Sequence, residues 1–374
     1  MSTLKQYSLF TDNKELQVSS SKMQEHFPHF PSTRYQGSKR KVLPALSQAF
    51  AKLDFTSVLD LYSGSGMVSL LLRHLNKTVD SNDCLLFNQV TARLFLRLQG
   101  SFLSSLHYEL GLPELLENTN PKHKHLVQDS YRDIFFTDQE NAEIDRFSQN
   151  VGSCNELERD LYVYAVGQAL MKKRPYNLFH RANLSMRKRD VKRSFGNAVT
   201  WETSILEHSL KAITELKKFP FLPDARSGKV FGVNTIDLTP LPASYDLVYL
   251  DPPYLNSKGV GVDYSDFYGF LDGLCDYQLF GRGDEGYPHR PMPKQKSNWL
   301  KVPTALDELD SICKKWASSI LFLSYRSDGL PTPQQTREVL SQRGRKVEIH
   351  SCGEYKYALS TTNTNEELFL ISLP

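Results

Sequence analysis

The segment Tyr245-Asp246-Leu247-Val248-Tyr249-Leu250-Asp251-Pro252-Pro253-Tyr254 carries the most specific chemistry in the chain. An apolar run ends in an acid, two prolines and an aromatic ring. A strand of that kind delivers all four to one edge of a sheet, where ligands of open α/β folds bind. The exocyclic amino nitrogen of adenine is a poor nucleophile because its lone pair is delocalised into the ring. The Asp251 carboxylate and the Pro252 carbonyl can accept its two hydrogens and turn the lone pair toward an electrophile. Pro252 and Pro253 remove competing N–H donors and fix the backbone. Tyr254 offers a face on which an extruded base can stack.

A second group is Asp60-Leu61-Tyr62-Ser63-Gly64-Ser65-Gly66, a carboxylate at a strand end followed by two glycines that let the backbone approach a ligand closely. The third glycine of a dinucleotide fingerprint is replaced by Ser69, which argues against nicotinamide or flavin. S-adenosylmethionine has no pyrophosphate, and its amino group can pair with Asp60. Asp83, 17 positions after Gly66, has the spacing of a ribose-binding acid, and Asp80 is its rival. A third group is a basic cluster: Lys172, Lys173, Arg174, Arg181, Arg187, Lys188, Arg189, Lys192 and Arg193 face one acid, Asp190, for a local charge of +8. Interleaved with Tyr176, Phe179, His180 and Asn183, it suits phosphate contacts with a few groups free to read bases. Arg326, leaving the apolar run Ile320 to Leu323, falls on the same sheet edge as Asp251. The histidines form no ligand set. The five cysteines stand singly with no zinc spacing. None follows a proline, as the thiolate nucleophile of a cytosine C5-methylating enzyme does.

The elements that must position these groups can be read from periodicity. Val58 to Leu61 predicts a strand, Ser63 to Gly66 a tight turn and Met67 to Leu75 a helix. Thr78-Val79 and the helix around Leu86 to Leu96 complete a βαβ start. From about 100 to 225 the pattern is helical, including Glu156 to Lys172 and Trp201 to Phe219, with no strand of the sheet. Strands return at Lys229 to Val233, Leu247 to Leu250 and Ser319 to Tyr325. Gly281 to Ser297 predicts a loop, and Lys346 to Leu373 a closing pair of strands around Thr361 to Asn365. The expected class is α/β. The expected organisation is a polar arm over 1–32, a cofactor-binding part over 33–100, a mainly helical insertion over 101–228 and a catalytic part over 229–374.

The 374 residues are 40% hydrophobic, which supplies a real core and excludes a disordered chain. The net charge of +3 conceals the +8 cluster on a remainder of −5. No signal core or membrane-length apolar run occurs, so a soluble cytoplasmic protein is expected.

Together with Tyr35-Gln36-Gly37-Ser38-Lys39-Arg40-Lys41, the Asp60 to Gly66 loop and Asp251-Pro252-Pro253-Tyr254 resemble the Dam-like, alpha-ordered adenine-specific DNA methyltransferases. The resemblance runs from about Thr33 to the end. It implies a Rossmann-like S-adenosylmethionine-dependent methyltransferase sheet with an inserted target-recognition domain, acting on double-stranded DNA. It also implies residue roles. Tyr35, Gly37 and Lys39 would contact the donor, Asp60, Gly64 and Gly66 its methionine part, Asp83 its ribose and Asp237 its adenine. Lys173-Arg174-Pro175-Tyr176, Arg193-Ser194-Phe195-Gly196-Asn197 and Ser324-Tyr325-Arg326-Ser327 are similar to methylases that partner type IIS restriction enzymes, such as the FokI methylase. That likeness implies a cognate endonuclease acting separately. Two other readings remain open: an inactive methylase fold that only binds DNA, and an RNA or protein amide methyltransferase, for which Asn rather than Asp would precede Pro-Pro-Tyr.

Overall fold

The computed structural model describes residues 24–182, 184, 195–222, 228–355 and 365–374. Seven strands form one sheet: β1 (Ser57–Asp60), β2 (Thr78–Asn82), β3 (Val230–Phe231), β4 (Leu247–Leu250), β5 (Ile320–Arg326), β6 (Lys346–Tyr355) and β7 (Asn365–Leu373). Their order is β3-β2-β1-β4-β5-β7-β6. β7 runs antiparallel to both of its neighbours, and the other pairings are parallel. β4, Leu-Val-Tyr-Leu, is buried at all four positions. That is why its sequence is a continuous apolar run rather than an alternating one.

Thirteen helices are used below: α1 (Leu43–Phe50), α2 (Met67–His74), α3 (Leu86–Arg97), α4 (Gly100–Ser105), α5 (Tyr108–Glu117), α6 (Leu126–Ser130), α7 (Asp138–Asn150), α8 (Glu156–Lys172), α9 (Phe195–Glu202), α10 (Ile205–Lys217), α11 (Tyr264–Asp272), α12 (Val302–Lys315) and α13 (Pro333–Leu340). α7 and α8 each start at a reciprocal cap, Thr137 with Glu140 and Asn155 with Glu158. Each cap satisfies two otherwise orphaned backbone donors. Trp201 to Phe219 divides into α9 and α10, because the Ser204 hydroxyl accepts from the Glu207 amide and starts a new helix there.

No strand lies between β2 and β3 among the described residues, as the pattern predicted. The intervening helices share a core with the sheet. Phe87 and Phe95 of α3 and Tyr164 and Val166 of α8 belong to one buried cluster, and Arg93 pairs with the buried Asp160 at 2.8 Å. The strand expected over Lys229 to Val233 shortens to two residues at the sheet edge. Packing begins before Thr33, where order was expected. Phe30 is buried against Phe219 at 4.7 Å, and the Arg40 guanidinium donates to the Phe30 and Pro31 carbonyls. The closing strands form as β6 and β7, while their connection, 356–364, lies outside the described residues. No helix among the described residues is long and apolar enough to cross a membrane.

Candidate active site

From β1 the chain passes to β2 and β3 on one side, and later to β4 and β5 on the other. The strand order therefore reverses between β1 and β4, whose carboxyl ends frame a crevice. Asp60 closes β1, Asp251 follows β4, and the two strands are adjacent in register, Asp60 opposite Tyr249. An open cavity of about 1080 Å³, solvent at its mouth included, lies there.

One half of the cavity is built on the β1–α2 turn. Asp60 is 1% exposed, and one of its oxygens accepts from the Ser69 hydroxyl at 2.6 Å. The other oxygen is buried without a hydrogen-bond partner. Burial pushes its carboxyl up to about 7, partly offset by Ser69 and reinforced by Asp251 and Asp83. Gly64 has φ +49°, a left-handed conformation that a side chain strains. Its amide donates to Asp83 at 2.9 Å, and the Leu85 amide donates to the other oxygen of the same carboxylate. Asp83 thus faces the turn from the end of β2 and lines the cavity. Asp80 points elsewhere, accepting from the Lys229 amide and the Tyr245 hydroxyl. Of the two rival acids, Asp83 is the one in the cavity.

The segment before α1 forms the adjoining wall. Tyr35 stacks on Tyr268 at 4.2 Å and on Tyr264 at 5.5 Å, and its hydroxyl accepts from Asn88 at 3.0 Å. Gly37 has φ +76°, and a Cβ there would stand 2.6 Å from the Tyr264 hydroxyl. Ser65 donates to Ser38 at 3.0 Å, tying this wall to the β1–α2 turn. Lys39 is 5% exposed. A buried ammonium requires partners, and it has two carboxylates: Asp251 at 2.9 Å and Glu367 at 3.1 Å.

The other half follows β4. Asp251, Pro252, Pro253 and Tyr254 all line the cavity. Burial pushes the Asp251 carboxyl up to about 6, against the pull of Lys39, while Glu367 adds to the rise. Tyr254 is half-buried, edge-on to Tyr325 at 5.5 Å, with the Arg326 guanidinium 5.6 Å from its ring centre. Arg326 is itself paired with Asp328 at 2.6 Å. One cavity therefore brings an acid with one partnerless oxygen and a glycine turn beside an acid, two prolines and a tyrosine.

Residues 35–269 match the D12 class N6 adenine-specific DNA methyltransferase family. The chain belongs to this family. No curated protein matches it at a significant level. The methyltransferase uses S-adenosylmethionine and methylates adenine in DNA. The residues present fit that cofactor. The partnerless buried oxygen of Asp60 suits an ammonium, and the Gly64 turn beside it keeps a φ of +49° that a side chain would strain. When bound, the cofactor supplies an electrophilic methyl group on a sulfonium.

Several residues expected at the site stand elsewhere in the methyltransferase. Gly66 has φ +70° and caps α2, but a Cβ on it would meet Phe95 at 2.9 Å. It serves close packing of α2 on α3 and does not line the cavity. Asp237 is exposed, accepts from the Thr239 amide and hydroxyl, and lies outside the cavity wall, so it makes a local turn. Lys173 and Arg174, expected to face DNA, are 1% and 2% exposed. Lys173 pairs with Glu140 at 3.0 Å and donates to the Trp201 and Thr203 carbonyls. Arg174 donates to the Leu178 and Phe135 carbonyls and covers the Phe135 ring. Both brace the helical segment from inside and cannot reach a phosphate. Arg181 is exposed. Asn183, Arg187, Lys188, Arg189, Lys192 and Arg193 lie outside the described residues.

Sequence reasoning missed Tyr264, Asn82 and Glu367. Tyr264 lines the cavity from the start of α11. Asn82 holds the end of β2 to the Leu61 and Val233 carbonyls. Neither sits in a pattern that distinguishes it from an ordinary loop tyrosine or strand-end amide. Glu367 reaches the site only because β7 pairs with β5 so that Arg326 stands opposite it, 41 positions apart in sequence. No group of three or more His, Cys, Asp or Glu side chains suited to a metal occurs among the described residues.

Proposed function

We propose that this methyltransferase modifies an adenine flipped out of double-stranded DNA at a specific sequence, and that the cavity at the β1–β4 crevice is where it does so. The observation that carries this reading is the meeting of Asp60 and Asp83 with Asp251 and Tyr254 in one cavity. Asp60 takes the cofactor's amino group and Asp83 its ribose, with Tyr35, Gly37 and Gly64 shaping the wall. The Asp251 carboxylate and the Pro252 carbonyl accept the two amino hydrogens of the base, and Tyr254 stacks on it. Reaction is then mostly alignment at near-attack distance.

The helical segment within 101–228 is the target-reading part, and the basic residues Arg181, Arg187, Lys188, Arg189, Lys192 and Arg193 contact phosphates, with Asn183 and Arg326 as further DNA contacts. Lys39 joins the site through Asp251 and Glu367. The likeness to methylases of type IIS systems supports a restriction-modification role with a separate endonuclease. The cytoplasm, where S-adenosylmethionine and DNA meet, is the fitting compartment.

Asp251→Ala tests the reading. It should abolish methyl transfer while S-adenosylmethionine binding by calorimetry stays within about threefold of wild type, a difference under 1 kcal/mol. Parallel loss of both would make Asp251 a structural residue. Sequencing DNA from a methylation-free host that expresses the protein gives the target site and the modified strand. Unmodified adenines throughout, from folded and cofactor-binding protein, would favour a recognition-only protein.

A further inference from the structure

Glu367 stands near the start of β7, opposite Arg326 at the carboxyl end of β5, and is 1% exposed. One of its oxygens accepts from the Ser324 hydroxyl at 2.5 Å and lies 3.1 Å from the Lys39 ammonium. The same ammonium lies 2.9 Å from Oδ1 of Asp251. Two carboxylates, from strands on either side of β5, therefore hold one buried cation between them. Removing either carboxylate changes how firmly the cation grips the other.

We propose that Glu367 is a positioning residue for methyl transfer: by sharing the Lys39 ammonium, it keeps Asp251 a strong acceptor for the amino group of adenine. This rests on the reading that Asp251 contacts the base. Without Glu367, Lys39 and Asp251 would collapse into a neutral pair in which the ammonium takes most of the carboxylate's basicity. With Glu367 present, the three groups carry a net charge of −1, and Asp251 keeps electron density to share. Other groups facing this cluster are Asp60 from β1, Tyr249 on β4, Tyr254, Tyr264 from α11 and Cys352 from β6. Among the groups facing Asp251, Lys39 and Glu367 make its largest charge interactions.

Glu367→Gln keeps the side-chain volume and removes the charge. Single-turnover transfer is measured from pH 5 to 8 at saturating cofactor and DNA, with calorimetry for S-adenosylmethionine. Carbon-13 carboxyl resonances of the free protein are followed over the same range, with the Asp251 signal identified by its loss in Asp251→Asn. With the wild-type carboxyl titrating at about 6, roughly one-tenth is ionised at pH 5. The ratio of the rate at pH 5 to that at pH 8 should therefore start near one-tenth. In Glu367→Gln it should rise several-fold, with a lower plateau, cofactor affinity within about twofold of wild type and the Asp251 resonance titrating at lower pH.

Glu367→Asp, which withdraws the carboxylate by one methylene, should give an intermediate ratio and carries the test should the glutamine variant not fold. A lower plateau with an unchanged pH ratio and an unmoved Asp251 resonance would overturn the proposal and leave Glu367 a structural residue. Full activity of Asp251→Asn would instead sink the reading of Asp251 itself, while the resonance shift would still report the hold of Glu367 on the cluster.

Discussion

Asp60 works against the stability of the free protein, and Asp60→Asn should expose this. Its folded carboxyl titrates at about 7 against an ordinary 3.8. Between those values the native state holds the extra proton, so the contribution of Asp60 to stability is most favourable below about pH 4 and falls as pH rises to about 7. A gap of about three pH units at 1.36 kcal/mol each makes the full loss at pH 8 about 4 kcal/mol. Asp60 is 1% exposed, so solvent screening does little to reduce this. Asparagine is neutral at every pH and can still accept from Ser69. Its amide hydrogens would take the place of the partnerless oxygen and cost about 1–3 kcal/mol if unpaired. The balance at pH 8 is a gain of about 1–3 kcal/mol. At pH 5 the wild-type penalty shrinks to about 1.6 kcal/mol and the gain vanishes or reverses.

Thermal melts of both proteins at pH 5 and pH 8 read the result. The variant should melt about 1–4 °C higher at pH 8 and no higher at pH 5. On the proposed pairing of Asp60 with the cofactor's amino group, loss of its charge should also weaken S-adenosylmethionine binding by about 10- to 100-fold, the worth of one charged hydrogen bond. A variant less stable than wild type at pH 8 would refute the desolvation argument. Unchanged cofactor affinity would refute the pairing of Asp60 with the cofactor.

Three further outcomes follow from the same geometry. Gly37→Ala forces a side chain into φ +76° and to within 2.6 Å of the Tyr264 hydroxyl, so cofactor affinity should fall at least tenfold with a loss of about 1–3 kcal/mol in urea unfolding. Asp237→Ala should leave cofactor affinity within twofold by calorimetry, about 0.4 kcal/mol, because the residue lies outside the cavity wall. Neutralising Lys188 and Arg189 together should weaken DNA binding and lower the slope of log affinity against log salt by about 1.8, measured by fluorescence anisotropy; an unchanged slope would put the phosphate contacts elsewhere.

The parts of the site that were legible in the sequence are those a strand must deliver. β1 and β4 are buried strands, so their apolar runs fix where they end, and the acids that follow them, Asp60 and Asp251, stand at the sheet edge for that reason. Asp83 was recoverable from spacing because β2 lies beside β1, although its choice over Asp80 needed the Gly64 amide that it accepts. Lys173 and Arg174 misled because charge counts carry no direction. The run Leu161 to Met171, apolar but for Gln168 and the tyrosine hydroxyls, is buried on every face of α8, and that is the signal that its flanking cations can lie inside. Gly66 misled because a glycine that admits a neighbouring helix has the same local sequence as one that admits a ligand. Glu367 was invisible because its role comes from an antiparallel return strand.

The charges lining the cavity bear on how a polyanion can be a substrate here at all. Asp60, Asp83, Asp251 and Asp263 line it, against Lys39 and Lys296. Such a wall favours a cationic ligand and repels phosphate, so a base can enter while its backbone stays outside. The double pairing of Lys39 with Asp251 and Glu367 keeps that ammonium from drawing a phosphate inward, because its charge is already more than balanced where it lies, while Lys296 stands exposed on the wall. Arg326, the last residue of β5 and beside the Tyr254 ring, stands outside the cavity wall with its guanidinium paired to Asp328. The acidic interior follows from which strand ends carry which residues: Asp60 on β1, Asp83 after β2 and Asp251 after β4.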